Sequence, residues 1–196
     1  MDIISIRYLL FVIGILFVYQ ILSPNLRKRW ILITSLLFYG SISVILLSAL
    51  IFSILFNFWI TFSNLKYKRW IAIIVNVLLL CSFKIDNSPF LVPIGVSFFT
   101  FQGLSFVFDH SLKPKTQLLN FANYMAFFPQ LIAGPIESFN HLGPQLSSLQ
   151  SIQNQNIFPG IFMILKGLVI KFVIANRCGI IVSSFYDEIS GFDGWI

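Results

Sequence analysis

Residues 93–110 read PIGVSFFTFQGLSFVFDH, and after a polar spacer residues 120–146 read NFANYMAFFPQLIAGPIESFNHLGPQL. Together the two segments place four prolines, four glycines, two acids and two histidines among aromatic side chains. Their apolar density still implies burial in or against a bilayer. Backbone that leaves the helix at membrane depth is tolerated only where protein or a water-filled cavity surrounds it. Pro93, Gly95, Gly103, Pro129, Gly134 and Pro135 interrupt or weaken helical hydrogen bonding in succession, and Pro144 follows. The block therefore predicts a polar-lined cavity or a re-entrant hairpin.

The rest of the chain says where that block resides. Of 196 residues, 57% are hydrophobic and only 10% charged, against roughly 25% charged in an average soluble domain. Such a chain cannot present an ordinary hydrated surface, so the composition predicts an all-α polytopic protein of the plasma (inner) membrane. The net charge of +6 is no nucleic-acid signal. Its cations fall in short clusters between apolar runs, Arg27-Lys28-Arg29 and then Lys66, Lys68 and Arg69, the placement of cytoplasmic loops. Cys81 and Cys178 stand alone in apolar contexts, which indicates neither a disulfide framework nor a metal site.

Residues 1–83 read as transmembrane helices. Ile3–Leu22 is a retained signal-anchor: a long apolar run with no small-residue cleavage pattern after it. Trp30–Phe62 is too long for one ordinary crossing. A break at Tyr39-Gly40-Ser41 would make it a hairpin and bring both basic clusters to one face of the membrane. A further span covers Trp70–Phe83. Asn57 and Asn76, inside apolar helices, read as interhelical hydrogen-bond contacts rather than ligands. After a polar turn at 84–89 comes the motif-bearing segment 90–146, with re-entrant or interfacial broken helices. The polar, uncharged run 147–156 reads as a linker. Residues 158–185 form an apolar helix carrying Lys166, Lys171 and Arg177. Three cations inside a true crossing are expensive, so this helix is expected to lie at the interface with its cations at lipid headgroups. The whole reads as a single membrane domain, 1–196.

Within the central block, Ser97, Thr100, Gln102 and Gln130 are candidate pocket donors, since a buried amide or hydroxyl is costly without a partner. Gln102 and Gln130 are the stronger candidates, and these two serve equally well as partners for backbone freed by the nearby prolines and glycines. Asp109 and Glu137 are acids in a membrane segment, a functional hypothesis by default; an orienting or structural role is favoured over proton transfer. His141, alone in a Pro/Gly loop, reads as solvated.

The residues also carry a resemblance. Pro93-Ile94-Gly95-Val96-Ser97-Phe98-Phe99-Thr100-Phe101-Gln102 resembles the P-[IV]-G-[IV]-S-F-[YF]-T-F-Q signature of the membrane-bound O-acyltransferases. Asp109, then Phe127-Phe128-Pro129-Gln130-Leu131-Ile132-Ala133-Gly134-Pro135-Ile136-Glu137, continue it, and His141-Leu142-Gly143-Pro144-Gln145-Leu146 is similar to that family's H-L-L-P-Q segment. Lys166-Gly167-Leu168 through Lys171 to Asn176 resembles the stretch that follows in the branch containing alginate O-acetyltransferases and D-alanyl transferases. Two features depart from the pattern. Ser138 stands where the family usually has arginine, and the family's catalytic histidine lies in a later half that these residues do not include; neither His110 nor His141 matches it.

The resemblance implies acyl transfer, acetyl above all, from a thioester donor of the acyl-carrier or coenzyme A type to hydroxyls of an exopolysaccharide or envelope polymer. No bound cofactor is implied. It further implies an incomplete fold of this family, inactive without a complementing C-terminal portion, with a periplasmic or extracellular transferase as a further partner beside the membrane lipids. A non-catalytic membrane subunit or truncated remnant is the alternative, and a small transporter or channel the third reading.

Overall fold

The computed structural model describes residues 6–85, 95–110, 116–131, 134–135 and 137–190, without the side chains of 84–85, 110 and 187–190. Pro93, the turn after Lys84 and the C-terminal tail beyond Ser190 lie outside the described residues. Every regular element among them is helical. The chain divides into two compact units, 1–151 and 152–196, where the sequence reads as one domain.

The first unit opens with α1 (Ile6–Ile21), α2 (Pro24–Ile42), α3 (Val44–Phe62) and α4 (Lys68–Ile85). Ser23-Pro24 ends one helix and starts the next, because proline at the first helical position gives up an N–H that has no partner there anyway. The long run 30–62 does break into two helices, but at Ser43 rather than at Tyr39–Ser41. Ser43 is fully extended (φ −163°, ψ 132°); its N–H donates to the Tyr39 carbonyl and its Oγ accepts from the Leu46 N–H. One residue thus closes α2 and caps α3. Gly40 stays helical and serves the hairpin differently: a Cβ there would come within 3.1 Å of Leu47, so its missing side chain lets the two helices meet. Farther from the turn, Leu36 and Leu32 line the same groove as Ile51 and Leu55, as antiparallel helices require.

α3 and α4 are pinned by the two asparagines. Asn57 Nδ2 donates to Asn76 Oδ1 at 3.2 Å, and Asn76 Nδ2 donates back to Asn57 Oδ1 at 2.8 Å. Each amide also donates to a backbone carbonyl one turn earlier, of Ser53 and Ala72. This reciprocal pair is the interhelical contact expected from sequence.

The next helices are short. α5 (Val96–His110) is followed by α6 (Leu118–Ala126), α7 (Phe128–Leu131) and α8 (Phe139–Ser147). The 9 residues of α6 rise about 13 Å, under half of a hydrocarbon core about 30 Å thick. These pieces pack around one aromatic core. Phe106 lies 4.2 Å from Phe121 and 5.0 Å from Phe139 between ring centroids, and Tyr124 meets Phe139 edge-on at 5.3 Å. So many phenylalanines fill a role here, since each buries a large apolar area in the geometry that aromatic pairs prefer.

The second unit is one long helix, α9 (Asn154–Val169) and α10 (Asn176–Ser190) joined by a π-helical segment at Ile170–Ala175. The stretch without helix before it, 148–153, is shorter than the polar run 147–156. Lys166, Lys171 and Arg177 are exposed. Among the described residues, two helices are long and apolar enough to cross a membrane, Val44–Phe62 and Asn154–Tyr186, while Ile6–Ile21 is apolar but shorter. α2 and α4 have 19 and 18 residues, with their cations gathered toward the ends.

Candidate functional site

The two motif segments, separate in sequence, are packed against each other. α5 follows directly on Gly95, whose φ of +81° is the one positive value among the described residues. Its carbonyl accepts the Phe99 N–H and so starts the helix. A Cβ on Gly95 would stand 2.6 Å from the Tyr39 hydroxyl and 2.9 Å from the Leu131 carbonyl oxygen. The first turn of the PIGVSF motif is therefore wedged between α2 and the end of the FFPQL motif. Farther along α5, Phe106 meets Phe121, so α5 runs antiparallel to α6 and α7. Gly103 makes a second close approach: a Cβ there would fall 2.5 Å from the Asn57 amide nitrogen. Glycine at these positions seats the motif helix on α2 and α3, and side chains of both motif halves share one packed aromatic core.

α5 distributes the candidate polar side chains over different strips. Gln102 stands one turn from Phe99 and Phe106, in the strip that packs on α6 to α8. Thr100 stands one and two turns before Leu104 and Val107, in the strip that packs with Ile60 of α3 and Ala72 of α4. Both are buried, with Gln102 2% exposed, and Gln102 Oε1 and Thr100 Oγ1 have no hydrogen-bond partner. Ser97 is half-buried at the edge of the packed face. Asp109 is exposed in the last turn, where it accepts the Ser105 hydroxyl at 3.2 Å.

The FFPQL segment is held as tightly. The Phe128 N–H, at the start of α7, donates to Ser35 Oγ on α2. Gln130 organises the turn that follows: its carbonyl accepts the Gly134 N–H at 2.8 Å and its Nε2 donates to the Pro135 carbonyl at 2.6 Å. A Cβ on Gly134 would lie 2.7 Å from the Gln130 side chain, so glycine is what admits this fold-back. Gln130 Oε1 remains buried without a partner. The Tyr124 hydroxyl donates to the Glu137 carbonyl at 2.7 Å and fixes the far side of the turn. Pro129 follows the first residue of α7, where its missing N–H costs nothing. Pro144 lies inside α8, and Gly143 beside it rests on the Phe139 ring.

Glu137 and His141 meet across one helical turn, Oε2 to Nδ1 at 2.7 Å, with side chains 34% and 67% exposed. A carboxylate on Nδ1 orients an imidazole, but this one stands on the surface. Ser138, at the position where the resemblance calls for arginine, starts α8 with its carbonyl and makes no side-chain cap.

Sequence reasoning passed over three residues that build the site. Asn123 is buried; its Nδ2 donates to the Lys28 carbonyl on α2 and to Leu119, and its Oδ1 is unpartnered. Tyr124 and Tyr39 close the glycine-bearing turns. The signal for Asn123 was present, since Asn120 and Asn123 recur at helical spacing in an apolar segment; nothing local marks the tyrosines.

Comparison with known proteins bears on this arrangement directly. A peptidoglycan O-acetyltransferase of Helicobacter pylori is 28% identical over 79% of this chain, which corresponds to 40% of that protein. Proteins called probable alginate O-acetylase AlgI match as well. That of Pseudomonas syringae is 28% identical over 83% of this chain and 38% of its own, and that of Pseudomonas aeruginosa 30% identical over 66% and 31%. A match over 79% of 196 residues leaves about 41 unmatched, fewer than the 50 that follow Leu146, so it must include the block 93–146. These relatives belong to the membrane-bound O-acyltransferase family, the one that the motif block resembles. The chain spans about two fifths of the length of the curated relatives it matches first. No protein-family model matches the chain, and no solved structure does.

Proposed function

We propose that this chain forms the motif-bearing wall of a multi-pass inner-membrane enzyme that transfers an acetyl group from an acyl thioester, of acyl-carrier or coenzyme A type, to hydroxyls of an envelope or secreted polysaccharide. The observation that carries the reading is the match to O-acetyltransferases running through the block in which Gly95, Gln102 and Gln130 are buried. A hydroxyl attacks a thioester carbonyl only as a base takes its proton, and the tetrahedral oxyanion then needs fixed donors in a dry site. Gln102 suits substrate contact: its carboxamide oxygen is buried and unpartnered, so it can accept from a substrate O–H or N–H. Gln130 is a positioning residue, because its Nε2 is spent on the Pro135 carbonyl. The base comes from outside these residues. His141, the one histidine whose side chain is described, is exposed and already engaged by Glu137. A complementing chain or segment supplies that base, and an exported transferase carries the acyl group onward.

The test is an acyl-transfer assay in membranes with labelled thioester and polysaccharide acceptor. Gln102→Leu should lower turnover about 10²-fold, the scale of one lost transition-state hydrogen bond, with folding unchanged. The 196 residues expressed alone should give no transfer. Turnover from them would place the base within this chain, and full activity of Gln102→Leu would remove Gln102 from the site.

A further inference from the structure

Away from the motif core, one face of α1 remains open to a cavity of about 330 Å³. Val12, Ile15, Leu16 and Tyr19, at helical spacing, form one side of it, and Phe127, Pro129 and Leu149 lie opposite. From Val12 to Tyr19 the stripe runs about 10 Å at 1.5 Å per residue. At the Tyr19 end a second, polar pocket of about 500 Å³ adjoins it, with Leu149 lining both. Arg27, Lys28, Ser148 and Gln150 line the polar one, and no acid among the described residues does.

Arg27 is the decisive side chain. It is 7% exposed, its Nε donates to the Tyr19 carbonyl at 3.3 Å, and its guanidinium sits 5.1 Å from the Tyr19 ring centroid. Neither partner is an anion. A buried cation without a counter-charge is strongly unfavourable. Arg27 also stands in the first turns of α2, whose N-terminus carries no acidic residue and no side-chain cap, so the helix dipole adds to the positive field there.

We propose that these two pockets together bind one anionic phospholipid, its phosphate between Arg27 and Lys28 and an acyl chain along the Val12–Tyr19 stripe. A free phosphate would satisfy the cations but leave the apolar cavity unfilled, and a zwitterionic lipid would fill the cavity but leave the cations uncompensated. The proposal uses no part of the acyl-transfer chemistry, so it stands or falls separately from it.

The experiment is lipid titration of the delipidated, detergent-solubilised protein, followed by thermal unfolding and native mass spectrometry. The probes are phosphatidylglycerol, phosphatidylcholine and inorganic phosphate. At about 1 kcal/mol per basic residue near a headgroup, the two cations should favour phosphatidylglycerol over phosphatidylcholine roughly thirty-fold. Arg27→Gln and Lys28→Gln should each remove about five-fold of that preference; Lys28 is half-exposed, so its variant keeps the test valid if Arg27→Gln fails to fold. Leu16→Trp, which fills the cavity, should weaken both lipids alike. Equal affinity for the two lipids, no effect of Lys28→Gln, or full stabilisation by inorganic phosphate alone would overturn the proposal.

Discussion

Replacing Gly95 by alanine should be among the most damaging single-methyl additions available in this chain. Two costs combine. The φ of +81° is a conformation that costs an L-residue roughly 1–2 kcal/mol. The new Cβ would also lie 2.6 Å from the Tyr39 hydroxyl and 2.9 Å from the Leu131 carbonyl oxygen. Tyr39 is fully buried on α2 and the Leu131 oxygen is backbone, so neither can swing aside, and overpacking of this kind costs about 1–3 kcal/mol. Together they give about 2–5 kcal/mol, or roughly 5–20 °C in unfolding midpoint for a chain of this size. The assay is thermal unfolding of the detergent-solubilised protein, with Gly14→Ala as control. Gly14 lies in α1 with nothing within 4 Å of an added Cβ, so its replacement should gain about 0.5–1 kcal/mol from lower chain entropy. A Gly95→Ala midpoint equal to that of the control would refute the wedging of α5 between α2 and α7.

Further outcomes follow from the same contacts. Asn57→Leu alone should cost about 1–3 kcal/mol by orphaning the Asn76 amide, and Asn57→Leu/Asn76→Leu should recover most of it; a thermal double-mutant cycle reads the coupling, and additive losses would deny the reciprocal pair. Tyr124→Phe should cost about 0.5–1.5 kcal/mol and speed hydrogen exchange around residues 137–138, where its hydroxyl now holds the Glu137 carbonyl. His141→Ala should change stability by less than about 1 kcal/mol, as for other exposed ion pairs, and should leave acyl transfer within a few-fold of wild type; loss of turnover would make His141 part of the chemistry.

What the sequence disclosed divides by range. Local devices were legible: the Ser23-Pro24 helix start, the break inside Trp30–Phe62, the glycine and proline turns of the motif block, and Asn57 and Asn76 as contacts between helices. The break itself moved from Gly40 to Ser43, because glycine in a helix is weak but admissible when a neighbouring helix needs its missing Cβ, whereas an extended serine caps both ends. Pairings between distant segments were not legible. Nothing near Gly95 announces Tyr39, nothing near Asn123 announces the Lys28 carbonyl, and the meeting of Glu137 with His141 depended on α8 starting at Phe139. Thr100 and Gln102, two residues apart, were grouped as one lining; at about 100° per residue they face nearly opposite sides of α5, and the structure gives them to different neighbours. The cations of the last helix argued for an interfacial position, while its length and hydropathy allow a crossing.

The most direct test of the account is the ester content of the envelope and secreted polysaccharides in cells whose gene for this chain is disrupted, then complemented. The account predicts that O-acyl esters on one polymer disappear, return with the wild-type gene, and do not return with Gln102→Leu although the variant chain reaches the membrane in normal amount. Unchanged ester content after disruption, or full restoration by Gln102→Leu, would contradict it.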